Sequence, residues 1–541
     1  MNFTSQIEEF FIKVKNKLTQ LQWAAFISVL AFGLLAHGYA LFNRLSYHDN
    51  SASLFSLGGT YESSRWMLGF IYDLQMKTTK LFAAPVFNGV LSLVFIGLAA
   101  ALIVDTFNIS KKISAVFVGA IMAAFPVVTS IFSFMFTAWE YFAALFLAVW
   151  TANILIKKIS VKTFIAATIL LACSLGIYQA FMAVTIAAFL VALTLAVFSG
   201  EIDSAGEYVK RGLTYLGNLV AGLVIWFAMA KLTQSIKGIE AVDYKGMSDG
   251  YSVSAFPSRL VESIKAFFGF EAAGINSVLY LRLIVAFIVL STILQLAYLW
   301  VAAKNSFGVK LISLIGIALL PIGINVVYLM STSEDFFVDS LMVFGNIFVF
   351  LIPVLLIDRM ENEPNLRAGV FSTITIRVTW VQIIALAVVL VGYIYLDNGA
   401  YLKAELAEEQ ATAYYTELVA NIKATEGFSD DMEIVFVGWT ELEDGTNAKI
   451  DTVDQLEAIK LEKFPRFTDI ITYGGSRFFM QEHLGFGNDK LIEDNGTYAK
   501  KDEVKDMPTY PNSGSIKVID NKVIVKLGEA SPRGEAVTEG D

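Results

Sequence analysis

Residues 23–42 read WAAFISVLAFGLLAHGYALF, a run of twenty residues without an acidic side chain, a lysine or an arginine. As a helix this run would rise about 30 Å, the thickness of the hydrocarbon core of a bilayer. The chain around it has the same character, because 56% of its 541 residues are hydrophobic, only 17% are charged and the mean hydropathy is +0.60. These values exclude an ordinary soluble domain and predict a mainly α, multi-spanning membrane protein.

Apolar runs of similar length recur as far as residue 396. Residues 1–22 precede the first of them and are predicted to form an interfacial helix on the cytoplasmic face. We predict eleven transmembrane segments, at about 23–42, 83–104, 113–130, 137–156, 163–177, 180–198, 213–230, 277–303, 311–330, 340–357 and 378–396. Together they define a predicted transmembrane domain of residues 1–396.

Among the short connections between these segments, alternate ones contain lysine and arginine. The short connections near 130–137, 176–179 and 331–339 contain none. Because short cytoplasmic loops are enriched in basic residues, the pattern predicts a cytoplasmic N-terminus and an extracytoplasmic C-terminus. Two long loops, 43–82 and 231–276, then lie on the outer side.

The composition changes after the last apolar segment. Residues 397–541 contain 15 Lys+Arg and 29 Asp+Glu, a net charge of −14, whereas residues 1–396 have a net charge of +4. An acidic, soluble extracytoplasmic domain follows, and its charge argues against binding to nucleic acid or anionic lipid. A helix over about 400–425, a strand over 432–438 and a hairpin over 518–525 that turns at Asp520-Asn521 predict a small α/β domain.

Charged and aromatic side chains concentrate in the first long outer loop. Asp49 directly follows the first span, where a carboxylate partly shielded from water suits a general base. Arg65 can hold a phosphate through its planar guanidinium group. Residues 63–80 fit an interfacial helix that Ser63 or Ser64 would cap, with Trp66 facing lipid. The candidate site residues of this loop are Arg44, His48, Asp49, Tyr61, Glu62, Arg65, Trp66 and Asp73.

Two alternatives stand beside this interpretation of the loop. Asp49, Arg65 and Asp73 could form salt bridges that only fix its structure. His48 could instead bind a divalent metal together with Asp49, but the only other histidines are His37 and His483. We therefore favour a reaction without a metal or cofactor.

Other polar residues are predicted near the outer surface, each with a structural alternative. Glu140 would contact substrate or only reach outer-side water. Tyr178-Gln179 lies between two spans and would contact substrate or form a hydrogen bond between helices. Arg259 and Arg282 flank the second long loop, where Arg282 would reach a lipid phosphate or only extend to the interface.

Several short motifs resemble the Gtr-type bacterial glucosyltransferases, the serotype-converting, O-antigen-modifying family of the GT-C class. The family often has glycine before the Arg-Trp pair, where this chain has Ser64. The motifs are His37-Gly38, Tyr47-His-Asp-Asn50, Gly58-Gly-Thr-Tyr61, Arg65-Trp66, Leu175-Gly-Ile-Tyr-Gln-Ala180 and Asn398-Gly-Ala-Tyr401.

The resemblance implies a GT-C-like fold and an inverting transfer of a hexose, usually glucose, from undecaprenyl phosphate. The acceptor would be a cell-surface glycan on the outer face of the bacterial plasma membrane. The catalytic acid of the first external loop corresponds here to Asp49, with Glu62 as the reserve candidate. The resemblance also implies a small flippase and a donor-lipid synthase as partners.

Two other classes of protein are compatible with the composition. A transporter or flippase of a lipid-linked sugar would carry charges near the membrane midplane and an internal repeat, but the charges here gather at the outer edge and no repeat is visible. A structural or partner-binding membrane protein would act through its C-terminal domain. A membrane part that still binds a lipid-phosphate sugar without that domain would exclude the last class.

Overall fold

The computed structural model describes residues 3–45, 48–51, 53–242, 252–269, 278–333, 336–362, 370–438, 476–487 and 490–528. These residues are mainly helical. The helices are α1 (Phe3–Lys15), α2 (Gln20–Phe42), α3 (Trp66–Thr78), α4 (Pro85–Thr106), α5 (Lys112–Ala124), α6 (Pro126–Phe132), α7 (Ala138–Lys157), α8 (Val161–Ile177), α9 (Met182–Phe198), α10 (Ala205–Lys237), α11 (Phe256–Gly269), α12 (Leu279–Ala302), α13 (Phe307–Ile324), α14 (Phe348–Asn362), α15 (Val370–Lys423), α16 (Ser476–Leu484) and α17 (Asp502–Lys505).

The chain divides into two compact units. The described residues of 3–44 and 55–398 form the first, which we call the membrane unit. The described residues of Leu45–Leu54 and of the chain from Gly399 onward form the second, which we call the C-terminal unit. Helix α15 is continuous across the boundary after Asn398.

The eleven predicted segments correspond to helices of unequal length. Within the described residues, eight helices are long and apolar enough to cross a membrane, and the bent pair α5–α6 gives a ninth if it counts as one span. Helix α8 is apolar but has only 17 residues. The predicted span 340–357 is instead broken into two 3-10 turns followed by α14. Among the described residues, the eleven predicted segments therefore compare with eight or nine full-length spans, because apolar composition alone does not distinguish a continuous helix from a broken one.

Proline and glycine account for local features of the bundle. Pro126 separates α5 from α6, which meet at a bend of 40°, because proline cannot donate the backbone hydrogen bond that would continue the helix. Gly119 of α5 lies against the carbonyl oxygen of Ala25 in α2, where a Cβ atom would collide with the backbone. The small residue allows the two helices to pack closely.

Polar side chains join α2, α6 and α15 inside the membrane unit. His37 Nε2 lies 2.7 Å from the carbonyl oxygen of Ala123, and its Nδ1 lies 3.4 Å from the hydroxyl of Thr129. Thr129 donates a hydrogen bond of 2.7 Å to Asp397, and Asn398 donates one of 3.0 Å to the carbonyl of Leu35. Buried polar groups at membrane depth need such partners. The contacts fix the C-terminal half of α2 against α15.

The C-terminal unit contains a four-stranded sheet of order β2-β1-β4-β3. The strands are β1 (Ile434–Val437), β2 (Leu491–Glu493), β3 (Ile516–Ile519) and β4 (Lys522–Lys526). Strand β1 is parallel to β2 and β4, and β3 and β4 form an antiparallel hairpin. Its turn residues Asp520 and Asn521 have φ of 53° and 59°, as two-residue hairpins require. The predicted strand and hairpin are confirmed.

One face of this sheet packs against helices. The buried cluster combines the last turns of α15, including Tyr415 and Leu418, with Phe479 of α16 and Phe436 of β1. Residues of the C-terminal part of α15 face this cluster at spacings of three and four residues, which is the helical pattern that predicts a helix over 400–425. The fold of this unit is therefore a small layer of helices on a sheet.

Candidate functional site

Residues 55–84 connect to α4 at one end of the membrane unit, which we call the loop end. Within this connection, residues 58–65 form a compact turn. The Glu62 carboxylate accepts a hydrogen bond of 2.6 Å from the backbone of Thr60, and the backbone of Arg65 donates one of 2.9 Å to the carbonyl of Thr60. Glu62, the reserve catalytic candidate, thus closes the turn.

Ser64 ends this turn in a left-handed conformation, with φ of 59°. Glycine adopts such a conformation at little cost, which explains in physical terms why glycine suits the position before the Arg-Trp pair. Helix α3 then starts with Arg65 at its N-cap, without a side-chain cap. The prediction that Ser63 or Ser64 would cap α3 is wrong, because Ser64 is used for the turn.

Arg65 extends from the N-terminus of α3 to two tyrosines. Its Nη1 donates hydrogen bonds of 3.1 Å to the hydroxyl of Tyr141 and of 3.4 Å to the carbonyl of Gly59. The guanidinium carbon lies 5.8 Å from the ring centre of Tyr141 and 5.7 Å from that of Tyr178. These two rings stack on each other at 4.4 Å. The guanidinium group therefore lies against an aromatic pair at the ends of α7 and α8.

Trp66 is buried, with 6% of its surface exposed, and the prediction that it faces lipid is wrong. It packs over Gly176 of α8, where a Cβ atom would lie 2.6 Å from Cε2 of the indole ring. Phe70 and Leu74, which follow Trp66 on the same face of α3 at intervals of four residues, are exposed. Trp66 is instead held between α8 and α10, since Ala230 and Trp226 belong to its cluster.

Glu140 in the first turn of α7 is fully buried. Gln75 of α3 donates a hydrogen bond of 3.3 Å to one of its carboxylate oxygens. Its other oxygen, the amide oxygen of Gln75, the hydroxyl of Thr137 and the indole nitrogen of Trp66 are buried and have no hydrogen-bond partner among the described residues. Buried polar atoms are normally paired, so a group of unmatched donors and acceptors suggests a place for a polar ligand.

Asp73 forms a second polar cluster on α3. Its Oδ2 accepts hydrogen bonds of 2.8 Å from the Tyr61 hydroxyl and of 2.7 Å from the Lys237 ammonium group. The hydrogen bond from Lys237 contributes most to holding the pKa of Asp73 below its usual value of 3.8. Burial, together with Asp73, raises the pKa of Tyr61. Asp73 thus acts as an anionic anchor between the loop and α10.

Helix α10 and the residues just after it form hydrogen bonds to the backbone of the turn at three further points. Gln234 donates a hydrogen bond of 2.9 Å to the carbonyl of Tyr61, and Trp226 donates one of 3.1 Å to the carbonyl of Ser64. The backbone of Val242, just beyond α10, donates one of 3.1 Å to the carbonyl of Glu62. The turn that presents Arg65 is therefore fixed by a helix more than 160 residues away in the chain.

The structure thus brings together Tyr61, Glu62, Arg65, Trp66, Asp73, Glu140 and Tyr178 at the loop end. Gln179 follows Tyr178 and begins a 3-10 turn. Sequence reasoning missed five partners, namely Gln75, Tyr141, Trp226, Gln234 and Lys237. Only Lys237 had a local signal, because it is a basic residue at the end of an apolar run.

Asp49 lies in a 3-10 turn, His48–Ser51, and is exposed. This segment belongs to the C-terminal unit. The neighbouring Asn50 is buried and donates a hydrogen bond of 2.5 Å to the carbonyl of Leu45. The side chain of His48 and residue Tyr47 lie outside the described residues. The structure therefore gives Asp49 an accessible position within its own unit.

The remaining arginines occupy other positions in the membrane unit. Arg259 of α11 pairs with Glu262 at 2.8 Å, donates to the carbonyl of Ser333 and lies 5.8 Å from the ring centre of Phe336. Arg282 is in the first turn of α12, and Arg44 is exposed just after α2. Among the described residues, no group of three or more histidine, cysteine or acidic side chains could hold a metal ion.

Comparison with known proteins gives one assignment. Residues 38–350 match the model of the family described as glucosyl transferase GtrII. The chain matches no curated protein and no solved structure. The matched residues include the loop turn, α3 and the loop ends of α7, α8 and α10. Because the match covers more than half of the 541 residues, the chain belongs to the GtrII glucosyl transferase family.

Proposed function

We propose that the protein transfers a hexose, glucose above all, from undecaprenyl phosphate to a cell-surface glycan on the outer face of the bacterial plasma membrane. The family assignment supports glucosyl transfer, and the long apolar helices support a membrane-embedded enzyme whose donor is a lipid. A donor-lipid synthase and a small flippase would supply this donor.

The reaction balances as a direct displacement. The acceptor hydroxyl oxygen attacks the anomeric carbon of the sugar, and the bond from that carbon to the phosphate oxygen breaks with its electron pair on the departing polyprenyl phosphate. The acceptor proton passes to a carboxylate base. Because attack comes from the face opposite the phosphate, the anomeric configuration inverts.

Arg65 is the proposed phosphate-binding residue. Its contacts with the Tyr141 hydroxyl and the Gly59 carbonyl help to orient the guanidinium group. A planar guanidinium can bind two phosphate oxygens at once. The aromatic pair and the contacts from α10 hold the group in place before the substrate arrives, which favours stabilisation of the charge that develops on the leaving phosphate.

The observation that carries the proposal is the buried polar contact between Glu140 of α7 and Gln75 of α3, the two helices that Arg65 joins through Tyr141. Glu140 and Gln75 each keep one buried oxygen without a hydrogen-bond partner among the described residues, as does the hydroxyl of Thr137 three residues before Glu140, and Tyr178 adds an aromatic surface beside Arg65. Sugar hydroxyl groups donate and accept hydrogen bonds, so a hexose would satisfy such a set. A cation beside it suits a sugar attached to a phosphate.

Asp49 is the proposed general base, following the position of the catalytic acid in the first external loop of GT-C enzymes. Its exposure within its own unit is compatible with contact to a large glycan acceptor. Glu62 is a weaker candidate because its carboxylate already closes the turn at Thr60. Arg44, Arg259 and Arg282 remain proposed contacts for lipid phosphate.

The test is a turnover assay with the purified full-length protein. Undecaprenyl-phosphate-glucose is incubated with candidate surface glycans, and release of undecaprenyl phosphate and the configuration of the new glycosidic bond are measured. The proposal predicts release that depends on the glycan and a bond of inverted configuration. Binding of the lipid without any release, with folded protein and several glycans and hexoses, would contradict transfer and favour transport of the lipid-linked sugar.

A further inference from the structure

A cavity of about 180 Å³ opens at the end of the membrane unit opposite the loop end. Helix α7 begins at the loop end with Glu140 and Tyr141 and finishes at this cavity with Lys157. Helix α10 has the opposite direction, since Gln234 lies at the loop end and Arg211 lines the cavity. The cavity and the proposed active site thus lie at opposite ends of α7 and of α10.

Three cationic side chains from three helices line this cavity. They are Lys157 of α7, Arg211 of α10 and Arg359 of α14. The rest of its wall combines apolar side chains, including Ile156, Leu193, Leu195 and Ile202, with polar ones such as Asn108 and Ser199. A polar, positively charged rim beside an apolar wall is the surface that a phospholipid requires, since the phosphate needs cations and the acyl chains need apolar contact.

The acidic residues that pair with these cations differ in whether they line the cavity. Asp105 lies 3.3 Å from Lys157, and Glu207 lies 2.7 Å from Arg211 on the same helix, but neither lines the cavity. Glu201 does line it, 2.7 Å from Nη1 of Arg211. Its side chain is 61% exposed. An exposed carboxylate can turn into water and leave its position on Arg211 to a phosphate oxygen.

We propose that this cavity binds the phosphate group of an anionic membrane phospholipid, with Lys157 and Arg211 as its ligands and Glu201 as the anion that the phosphate displaces. The acyl chains lie against the apolar wall and the neighbouring helices. This site is independent of the proposed glucosyl transfer, because it lies at the opposite ends of α7 and α10 and shares no residue with the loop-end cluster.

The test uses native mass spectrometry of the full-length protein released from detergent. The protein is incubated with phosphatidylglycerol or with phosphatidylcholine of the same acyl chains, and the retained lipid is counted. We expect preferential retention of phosphatidylglycerol, a decrease of about fivefold in its affinity for Lys157→Gln and an increase for Glu201→Gln. Lys162→Gln is the matched control, because this exposed lysine near the start of α8 does not line the cavity.

Three results would overturn the proposal. The first is equal retention of the two lipids by the parent protein. The second is a loss in Lys162→Gln as large as that in Lys157→Gln, which would indicate general surface charge. The third is binding of inorganic phosphate in this cavity without retention of phosphatidylglycerol, which would assign the site to a free anion. Variants are compared only if their melting temperature equals that of the parent. If Lys157→Gln is unstable, Glu201→Gln still tests the proposal, because it removes only the charge of an exposed side chain.

Discussion

Arg65 at the start of α3 donates a hydrogen bond of 3.1 Å to the hydroxyl of Tyr141 in the first turn of α7, 76 residues further along the chain. This contact joins the loop that precedes α3 to the helix that carries the buried Glu140.

The first prediction concerns coupling between Arg65 and Tyr141. Arg65→Lys keeps the charge but loses the planar contact with the tyrosine rings, and Tyr141→Phe removes only the hydroxyl. We expect each variant to lower kcat/KM for the lipid donor and the double variant to lose less than the product of the two effects, with a coupling energy of about 1 kcal/mol. Arg377→Lys, at an exposed arginine of α15, should combine additively with Tyr141→Phe. Additive effects of Arg65→Lys and Tyr141→Phe would refute the coupling.

The second prediction concerns the buried carboxyl group of Glu140. Glu140→Gln keeps the size of the side chain and its hydrogen-bonding capacity to Gln75, so the fold should persist. Loss of a contact to the sugar should raise KM for the donor about fivefold with a smaller change in kcat, since a hydrogen bond contributes about 1 kcal/mol. The measurement is a donor titration with parent and variant. Unchanged KM would remove Glu140 from the binding site.

The third prediction concerns the pH dependence of the Asp73 anchor. The pKa of Asp73 lies below 3.8 in the folded protein because of Lys237, so the stabilisation is present above that value and is lost as the pH falls through the lowered pKa. Asp73→Asn should therefore lower the free energy of unfolding at neutral pH by about 0.5 kcal/mol, with a slight decrease in melting temperature. The effect is small because the side chains of Asp73 and Lys237 are both partly exposed. The difference between parent and variant should vanish at the lowest pH tolerated. A constant difference across pH would show that the charge of Asp73 is irrelevant.

The fourth prediction concerns the close packing of α3 on Tyr61. A Cβ atom at Gly69 would lie 2.5 Å from Cζ of the Tyr61 ring, which the hydrogen bond to Asp73 holds in place. Gly69→Ala should destabilise the protein by about 1–3 kcal/mol. Gly38→Ala is the control, since nothing lies within 4 Å of the added atom and alanine favours the helix. Equal melting temperatures of the two variants would contradict the proposed packing.

The sequence predicts the parts of this fold that depend on local pattern. Long apolar runs predict membrane helices, and Asp520-Asn521 predicts a hairpin because few other residue pairs accept two positive φ angles. It does not predict where a run breaks, as over 340–357, since the break depends on packing partners. For the same reason Trp66 is interpreted as a lipid-facing residue, although Gly176 of a distant helix makes room for it inside the protein.

The candidate site likewise combines residues that the sequence predicts with partners that it does not. Arg65, Asp73 and Glu140 are conspicuous in the sequence because charge near a membrane is costly. Their partners Tyr141, Gln75 and Lys237 are ordinary residues in their local context, and only the three-dimensional fold brings them within hydrogen-bond distance. Ser64 lies between these two cases. Its left-handed conformation explains why glycine suits this position, but it does not indicate which residues the turn contacts.

The central claim is that a carboxylate base drives glucosyl transfer from a lipid phosphate, and comparison of the parent with Asp49→Asn tests it most directly. Release of undecaprenyl phosphate from undecaprenyl-phosphate-glucose is measured with an accepted glycan, with Glu62→Gln in parallel and with melting temperatures to confirm folding. Because a general base contributes about 10²–10⁴-fold, we expect turnover by the parent and a loss of that size in Asp49→Asn. Full activity of folded Asp49→Asn would contradict the assignment, and loss confined to Glu62→Gln would move the base to that residue.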